Sequence, residues 1–264
     1  MDYQIFFDPK TFTFTYIIFD QETKKAAILD SVLDFDPKTQ NFSSNPADKI
    51  IEFINKNNLK TQWILETHIH ADHISAARYL KEKLGGKIAI SDKIKEVAEF
   101  WAKKFNLKAD ISNFDHLFSD EEEFAIGNLT AKFLYTPGHT PSCSSFIIQD
   151  HIFVGDLLLM PNFGVGRADF PGGSTGELFD SIQKIFSYPD DYQIFTAHDY
   201  PKEGQKEQFL ATILEHKQNN IFAKITDRNE FINKRFARDS ELSEPKLLKY
   251  AIKENIFAGG IVLQ

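Results

Sequence analysis

Three imidazoles and a carboxylate stand within six residues at His68, His70, Asp72 and His73, a density of titratable side chains that a fold must organise around something. A metal ion does that. In an extended turn His68 and His70 point the same way, because side chains alternate with period two, so both can face one ion. Asp72 and His73 lie around the bend and can face a second. The segment before them, Gln62-Trp63-Ile64-Leu65-Glu66, reads as a short apolar strand. After them Ala76, Ala77, Leu80 and Leu84 have helical spacing closed by Gly85-Gly86. The cluster is therefore predicted at the carboxyl end of a strand, where the loops of an open α/β sheet converge on a crevice.

Strand and helix signals alternate on either side. Phe12–Phe19 and Lys25–Asp30 flank a polar turn at Asp20–Thr23 and read as a β-hairpin. Ile50, Ile51, Phe53 and Ile54 predict a helix, with Asn45 as its cap and Pro46 at the first helical position. A strand at Lys87–Ser91, a helix at Ile94–Phe105 and strands at Glu123–Ile126 and Leu129–Tyr135 follow. Two shorter strands come next, at Ser144–Gln149 and His151–Val154, then a Gly-rich loop from Pro161 to Gly176. Leu178–Phe186 reads as helix and Tyr192–Thr196 as extended. Three of these strand ends carry a metal-competent residue into a loop: His139 after Pro137-Gly138, Asp156 after Gly155, and His198 after Ala197. They are expected to complete the shell begun at His68. From about residue 222 the chain becomes charged and helix-leaning, an extension without a core of its own.

A length of 264 residues with 42% hydrophobic side chains suits one α/β domain spanning 1–264, and the 26 phenylalanines are expected to fill its core. A formal charge of −8 without a basic cluster argues against nucleic acid as a partner. No run approaches the ~20 apolar residues that span a bilayer and the N-terminal residues lack a secretory pattern, so no membrane association and a cytoplasmic location are expected. One cysteine, Cys143, forms no internal disulfide and is expected to be a small buried side chain. The remaining histidines, His116, His151 and His216, are expected to be ordinary surface or core residues.

Together Thr67-His68-Ile69-His70-Ala71-Asp72-His73, Gly155-Asp156 and His198 resemble the signature of the metallo-β-lactamase superfamily over residues 12 to 220. Three stretches are most similar to the persulfide dioxygenases and bacterial β-lactamase-like hydrolases of that superfamily. They are His70–Ala76, then Thr136-Pro137-Gly138-His139-Thr140-Pro141-Ser142-Cys143, then Met160-Pro161 with Gly166-Arg167-Ala168-Asp169-Phe170-Pro171-Gly172-Gly173. The resemblance implies a four-layer αββα sandwich. It implies one Fe(II) held by His68, His139 and Asp156, with His70, Asp72, His73 and His198 acting around it. Two imidazoles and a carboxylate on one face leave positions open for O2 and a sulfur ligand. The substrate implied is glutathione persulfide or another low-molecular-weight persulfide, converted with O2 to sulfite and thiol. Arg167 would hold its loop through a carboxylate or receive an anionic substrate, and Tyr200 would shape the substrate pocket. Homodimers are common in the family, so a homodimer is an expectation resting on the resemblance alone.

The same seven residues also fit a hydrolase with one or two Zn ions, of the glyoxalase II type. Asp156 would then bridge the ions, with His68, His70 and His139 on one and Asp72, His73 and His198 on the other. The substrate would be a glutathione thioester, or a lactone or β-lactam. A non-catalytic metal-binding or protein-interaction role is the third class, and the intact ligand set weighs against it.

Overall fold

The computed structural model describes residues 1–259; residues 260–264, the end of the expected extension, lie outside the described residues. The strands are β1 (Asp2–Asp8), β2 (Thr13–Phe19), β3 (Lys25–Leu29), β4 (Val32–Asp36), β5 (Asn41–Ser43), β6 (Lys60–Leu65), β7 (Ile74–Ser75) and β8 (Lys87–Ser91), followed by β9 (His116–Phe118), β10 (Glu123–Ile126), β11 (Leu129–Tyr135), β12 (Ser144–Ile148), β13 (His151–Phe153), β14 (Gln193–Phe195) and β15 (Leu210–Thr212). The helices are α1 (Asn45–Lys56), α2 (Ala77–Leu84), α3 (Ile94–Lys104), α4 (Thr175–Phe186), α5 (Ile213–Asn219), α6 (Arg228–Asp239) and α7 (Leu248–Asn255). They form two compact units. The first holds Met1–Ser119, Phe124–Thr130 and the described residues from Glu244 on; the second holds Asp120–Glu123 and Ala131–Ser243. The charged segment past residue 222 is thus divided, with α6 in the second unit and α7 in the first.

In the first unit a six-stranded sheet runs β1-β2-β3-β6-β8-β9. The predicted hairpin is β2–β3, antiparallel with Tyr16 opposite Leu29, and its turn is held by the Asp20 carboxylate, which accepts from Glu22 N and Thr23 Oγ1. All seven residues of β2 are buried, as its continuous apolar and β-branched run requires of a strand covered on both faces. The strand β1 escaped the sequence reading, although it pairs with the whole of β2 from Asp2–Phe19 to Asp8–Thr13. From β3 onward the sheet is parallel: β3 pairs with β6, β6 with β8 and β8 with β9. Parallel neighbours put their carboxyl ends at one edge. Leu29 stands beside Leu65, so the next residues, Asp30 and Glu66, leave adjacent strands together, tied by the Asp30 N–H to Leu65 O at 3.0 Å.

One helix boundary corrects the sequence reading. Asn45 does not cap α1; it is already the first helical residue, and Ser44 holds the N-cap position. The Ser44 hydroxyl donates to Asp48 Oδ2 at 2.7 Å instead of accepting from the helix backbone. Pro46, predicted at the first helical position, is the second helical residue, still in the first turn where its missing N–H costs no hydrogen bond.

In the second unit the sheet order is β10-β11-β12-β13-β14-β15. Neighbours from β11 to β13 are antiparallel, and β13 and β14 are parallel with Phe153 opposite Phe195. The crossover between them carries α4, which begins at Thr175, inside the stretch expected to be loop up to Gly176. The Ser174 side chain caps it by accepting from Glu177 N. Leu178, Phe179, Ile182, Ile185 and Phe186 of α4 are buried against Leu134, Ile152, Ile194 and Phe231. Fully burying one such side chain stabilises by about 1.5–3 kcal/mol, so α4 is a principal tie of this core.

His216 on α5 is buried in the same unit. Its Nδ1 lies 3.1 Å from Asn220 Nδ2, and its Nε2 has no hydrogen-bond partner among the described residues. Burial pushes its pKa down from 6.5 to about 4. As pH falls the unfolded chain takes up this proton first, so stability is lost from about pH 6.5 down to about pH 4. Thermal melts across that window are expected to show a smaller loss for His216→Gln than for the parent, with the difference reaching about 3 kcal/mol at the acid end. Parallel profiles for the two proteins would contradict it.

Candidate metal centre

The first unit supplies the loop between β6 and β7. It leaves the sheet at Glu66 and returns at β7, whose Ile74 and Ser75 pair antiparallel with Leu33 and Val32 of β4. Both ends being fixed, the seven residues between Thr67 and His73 have little freedom. Asp30 draws the loop back to the sheet edge: it accepts from Thr67 N at 2.8 Å and from Thr67 Oγ1 at 2.9 Å. The Thr67 hydroxyl is also 2.9 Å from His68 Nδ1. The three imidazoles then crowd together at a tilt, with ring centroids 4.2 Å apart for His68–His70 and again for His70–His73.

His70 is the hub of this cluster. Its Nε2 stands 3.1 Å from Asp30 Oδ1 and 3.1 Å from Glu66 Oε2, all three residues being buried. Burial disfavours the charged ring, but Asp30 and Glu66 outweigh it and hold the His70 pKa well above the ordinary imidazole range. Glu66 is itself held by the Ser75 hydroxyl at 2.5 Å. His73 Nδ1 lies 3.1 Å from Asp72 Oδ2. The opposite nitrogens, His70 Nδ1 and His73 Nε2, are buried without a hydrogen-bond partner among the described residues. Ligand atoms of His70, Asp72 and His73 all lie within 4.8 Å of one another. Buried imidazole nitrogens left without partners, on residues grouped with a carboxylate, are what a divalent ion satisfies. Carboxylates behind the histidines set which ring nitrogen faces the ion.

The second unit brings His139, Asp156 and His198 together by register. Asp156 is three residues past Phe153 and His198 three past Phe195, its parallel partner, so the two arrive at one edge with Asp156 Oδ1 3.3 Å from His198 Nε2. The loop between β11 and β12 opens at that same edge and carries His139, whose Nε2 is 3.4 Å from Asp156 Oδ2. Pro137-Gly138 makes the turn that delivers it. Gly138 has φ 137°, and a Cβ there would lie 2.3 Å from the α4 backbone at Leu178. Helix α4 in turn holds the loop, with Ser181 Oγ donating to Pro137 O and Ser174 N to Gly138 O. His139 Nδ1 donates to the backbone carbonyl of Arg167 at 2.7 Å, which directs Nε2 toward Asp156.

Arg167 lies where the sequence reading put it, on the Gly-rich loop, and its guanidinium makes the carboxylate pair expected there. Nε and Nη2 each reach an Asp169 oxygen at 2.6 Å, and Nη1 donates to Ser243 O at 2.8 Å. That pair holds the Asp169 carboxyl below its usual range, against the opposing effect of burial. Underneath, α6 offers a buried ion pair, Arg235 Nη2 to Asp239 Oδ1 at 2.6 Å. Asp239 accepts from Ala168 N, and Arg235 Nη1 donates to Val165 O. Tyr200 is 42% exposed and lies parallel to the His198 ring at 6.1 Å, with Phe163 edge-on to it. These two aromatics, Lys202 and Lys206 line a groove of about 700 Å³. Cys143 is buried, with Thr140 N and Oγ1 at 3.3 and 3.0 Å from its sulfur.

Asp30, Glu66, Arg235 and Asp239 were not singled out from sequence. For the first two the available signal was an acidic residue directly after an apolar strand end, at Leu29-Asp30 and Leu65-Glu66; for the pair on α6 it was Arg and Asp at helical i, i+4 spacing. His116 and His151 lie against aromatic rings, Trp63 with Phe118 and Phe195 respectively, and neither falls in a group of metal-competent residues among the described residues.

A family model described as the metallo-beta-lactamase superfamily matches residues 10–198. Over 257 residues the chain is 41% identical to a beta-lactamase hydrolase-like protein of Xylella fastidiosa, covering 96% of this chain and 60% of that one. The chain thus spans about three fifths of the length of such relatives. It is 42% identical to glyoxylase B2 of Dictyostelium discoideum, covering 97% and 90% of the two chains. Against the mitochondrial persulfide dioxygenase ETHE1 of Homo sapiens the identity is 28%, over 96% and 87%. Among solved structures, ETHE1 from Myxococcus xanthus superimposes with a TM-score of 0.81 and 28% identity over 98% of this chain and all of the other.

Two substitutions test this arrangement. Glu66→Gln keeps the shape beside His70 but removes the charge, and it is expected to weaken zinc binding by roughly 10–100-fold, read by chelator competition. Asp239→Ala leaves the Arg235 guanidinium buried without its carboxylate, and urea unfolding should show a loss of about 3–5 kcal/mol. The double replacement Arg235→Met/Asp239→Leu should recover most of that loss.

Proposed function

We propose, for a chain that belongs to the metallo-β-lactamase superfamily and has its fold, that it is an iron-dependent persulfide dioxygenase with His68, His139 and Asp156 as the metal ligands. The observation that carries this reading is the likeness to ETHE1 along nearly the whole of both chains, joined to the Gly166–Gly173 loop, whose carbonyl at Arg167 orients His139. Iron(II) held by His68, His139 and Asp156 would supply redox chemistry for O2 and a sulfur substrate.

The chain's own residues then have distinct tasks. Arg167 O keeps His139 in one tautomer, and Asp30 with Glu66 engages His70 Nε2 and leaves Nδ1 without a hydrogen-bond partner among the described residues. Tyr200 and Phe163 wall the groove beside His198, and Lys202 and Lys206 there suit the carboxylates of a glutathione-type thiol. The side chain of Arg167, paired with Asp169, supports the loop that carries that carbonyl. One persulfide, one O2 and one water give thiol, sulfite and two protons. The sulfane sulfur is oxidised by four electrons, and O2 is reduced by the same four.

A second reading has its own support. Asp156 turns one oxygen toward His139 and the other toward His198, the disposition of a carboxylate that bridges two ions. The relatives above 40% identity carry hydrolase and glyoxylase names. On that reading the chain is a zinc hydrolase acting on a glutathione thioester.

Oxygen uptake decides between them. Protein reconstituted with Fe(II) and given glutathione persulfide is expected to consume O2 and form sulfite in equal amounts, while zinc-loaded protein does neither. His139→Ala should lower the rate by at least about 100-fold, the upper end of what loss of a supporting residue costs. Thioester hydrolysis by the zinc form, without O2 uptake by the iron form, would replace the dioxygenase with the hydrolase.

A further inference from the structure

Helix α7 ends inside the first unit on the loop that carries the histidines. Asn255, its last residue, is 2% exposed. Its amide nitrogen donates to the carbonyl of His70 at 2.9 Å and to that of His73 at 2.8 Å, and its oxygen accepts from Ser75 N at 2.8 Å. One side chain thereby satisfies three backbone groups across six residues of a loop 180 or more positions away. The turn after the helix presses on the same place: Gly259 has φ 71°, and a Cβ there would lie 2.1 Å from Ser75 O. Ser75 in turn holds Glu66, which holds His70.

We infer that Asn255 is a positioning residue of the metal centre, fixing the backbones of His70 and His73, whose ligand atoms group with that of Asp72. Residues 67–73 form neither helix nor strand, so their carbonyls depend on partners from elsewhere, and a buried carbonyl left without one costs about 1–3 kcal/mol. Only a side chain with two donors and an acceptor on a short stem makes this set of bonds. Aspartate lacks the donors, and glutamine is one methylene too long. The inference rests on the grouping of His70, Asp72 and His73 as metal-competent residues, which are ligands in the zinc reading and surround the ion in the iron reading.

The test uses the full chain with Co(II) and Zn(II) alone as probes, in chelator competition and in the visible spectrum of the Co(II) form. Asn255→Ala removes all three bonds, and Asn255→Asp keeps the volume and the bond from Ser75 while losing the donors. Tyr250→Ala is the control, since Tyr250 packs α7 on Phe35 with ring centroids 5.1 Å apart and is not bonded to the loop in this way. Both Asn255 variants are expected to bind Co(II) and Zn(II) tenfold or more weakly, in line with losses of outer-shell partners, with an altered Co(II) spectrum. Tyr250→Ala should bind as the parent does even where its melting temperature falls as far. Parent-like affinity and spectrum in Asn255→Asp would overturn the inference, as would equal weakening in Tyr250→Ala. A parent that binds neither ion would instead overturn the metal reading beneath it.

Discussion

Parallel pairing in register is the constraint from which the rest follows, because it places the ends of two strands, and whatever residues come next, at one point of a sheet edge. In the first unit Leu29 beside Leu65 puts Asp30 and Glu66 side by side. In the second, Phe153 beside Phe195 puts Asp156 and His198 within 3.3 Å. Such juxtapositions of buried carboxylates and imidazoles are unfavourable unless every group has a partner. Asp30 meets this by accepting from Thr67 and His70, and Glu66 by accepting from Ser75 and His70. The apolar strands supply the rigidity, and the polar groups at their ends make use of it.

Much of this was legible in the sequence. The strand before His68, the helix after it, the hairpin, and the three later strand ends carrying His139, Asp156 and His198 follow from apolar runs broken by Pro and Gly, signals that act within a few residues. The groups that support them were not legible. Asp30 is 40 residues from His70, Asp239 is 71 from Ala168, and Asn255 is 185 from the carbonyl it binds. Nothing local distinguishes such residues from solvated surface Asp or Asn, and only tertiary packing reveals their partners. The short strands β4, β5, β7, β9 and β15 were missed for the same reason: each is five residues or fewer and exists through its pairing. Asn45 failed as a cap because the helix starts one residue earlier than read, with Ser44 at the N-cap position and its hydroxyl turned to Asp48.

The segment after residue 222 takes on a meaning that its charged composition concealed. Helix α6 carries Arg235 and Asp239 beneath the loop that orients His139, and α7 carries Asn255 beneath the loop of His70 and His73. The two helices serve different units in the same manner, each sending a buried polar side chain to main-chain atoms next to a candidate ligand. The segment read from sequence as an extension thus contributes one helix to each unit.

The orientation of His139 illustrates what such main-chain contacts imply for how a protein of this kind tolerates change. Its ring is directed by the carbonyl of Arg167, an atom that every amino acid possesses. No codon change can delete it. Replacements at position 167 therefore act on the histidine by moving the peptide, through lost pairing with Asp169 and Ser243, or through Phe170, which the guanidinium covers and which packs edge-on to His139, so their harm is graded. A side chain in the same role would be lost outright by a single base substitution.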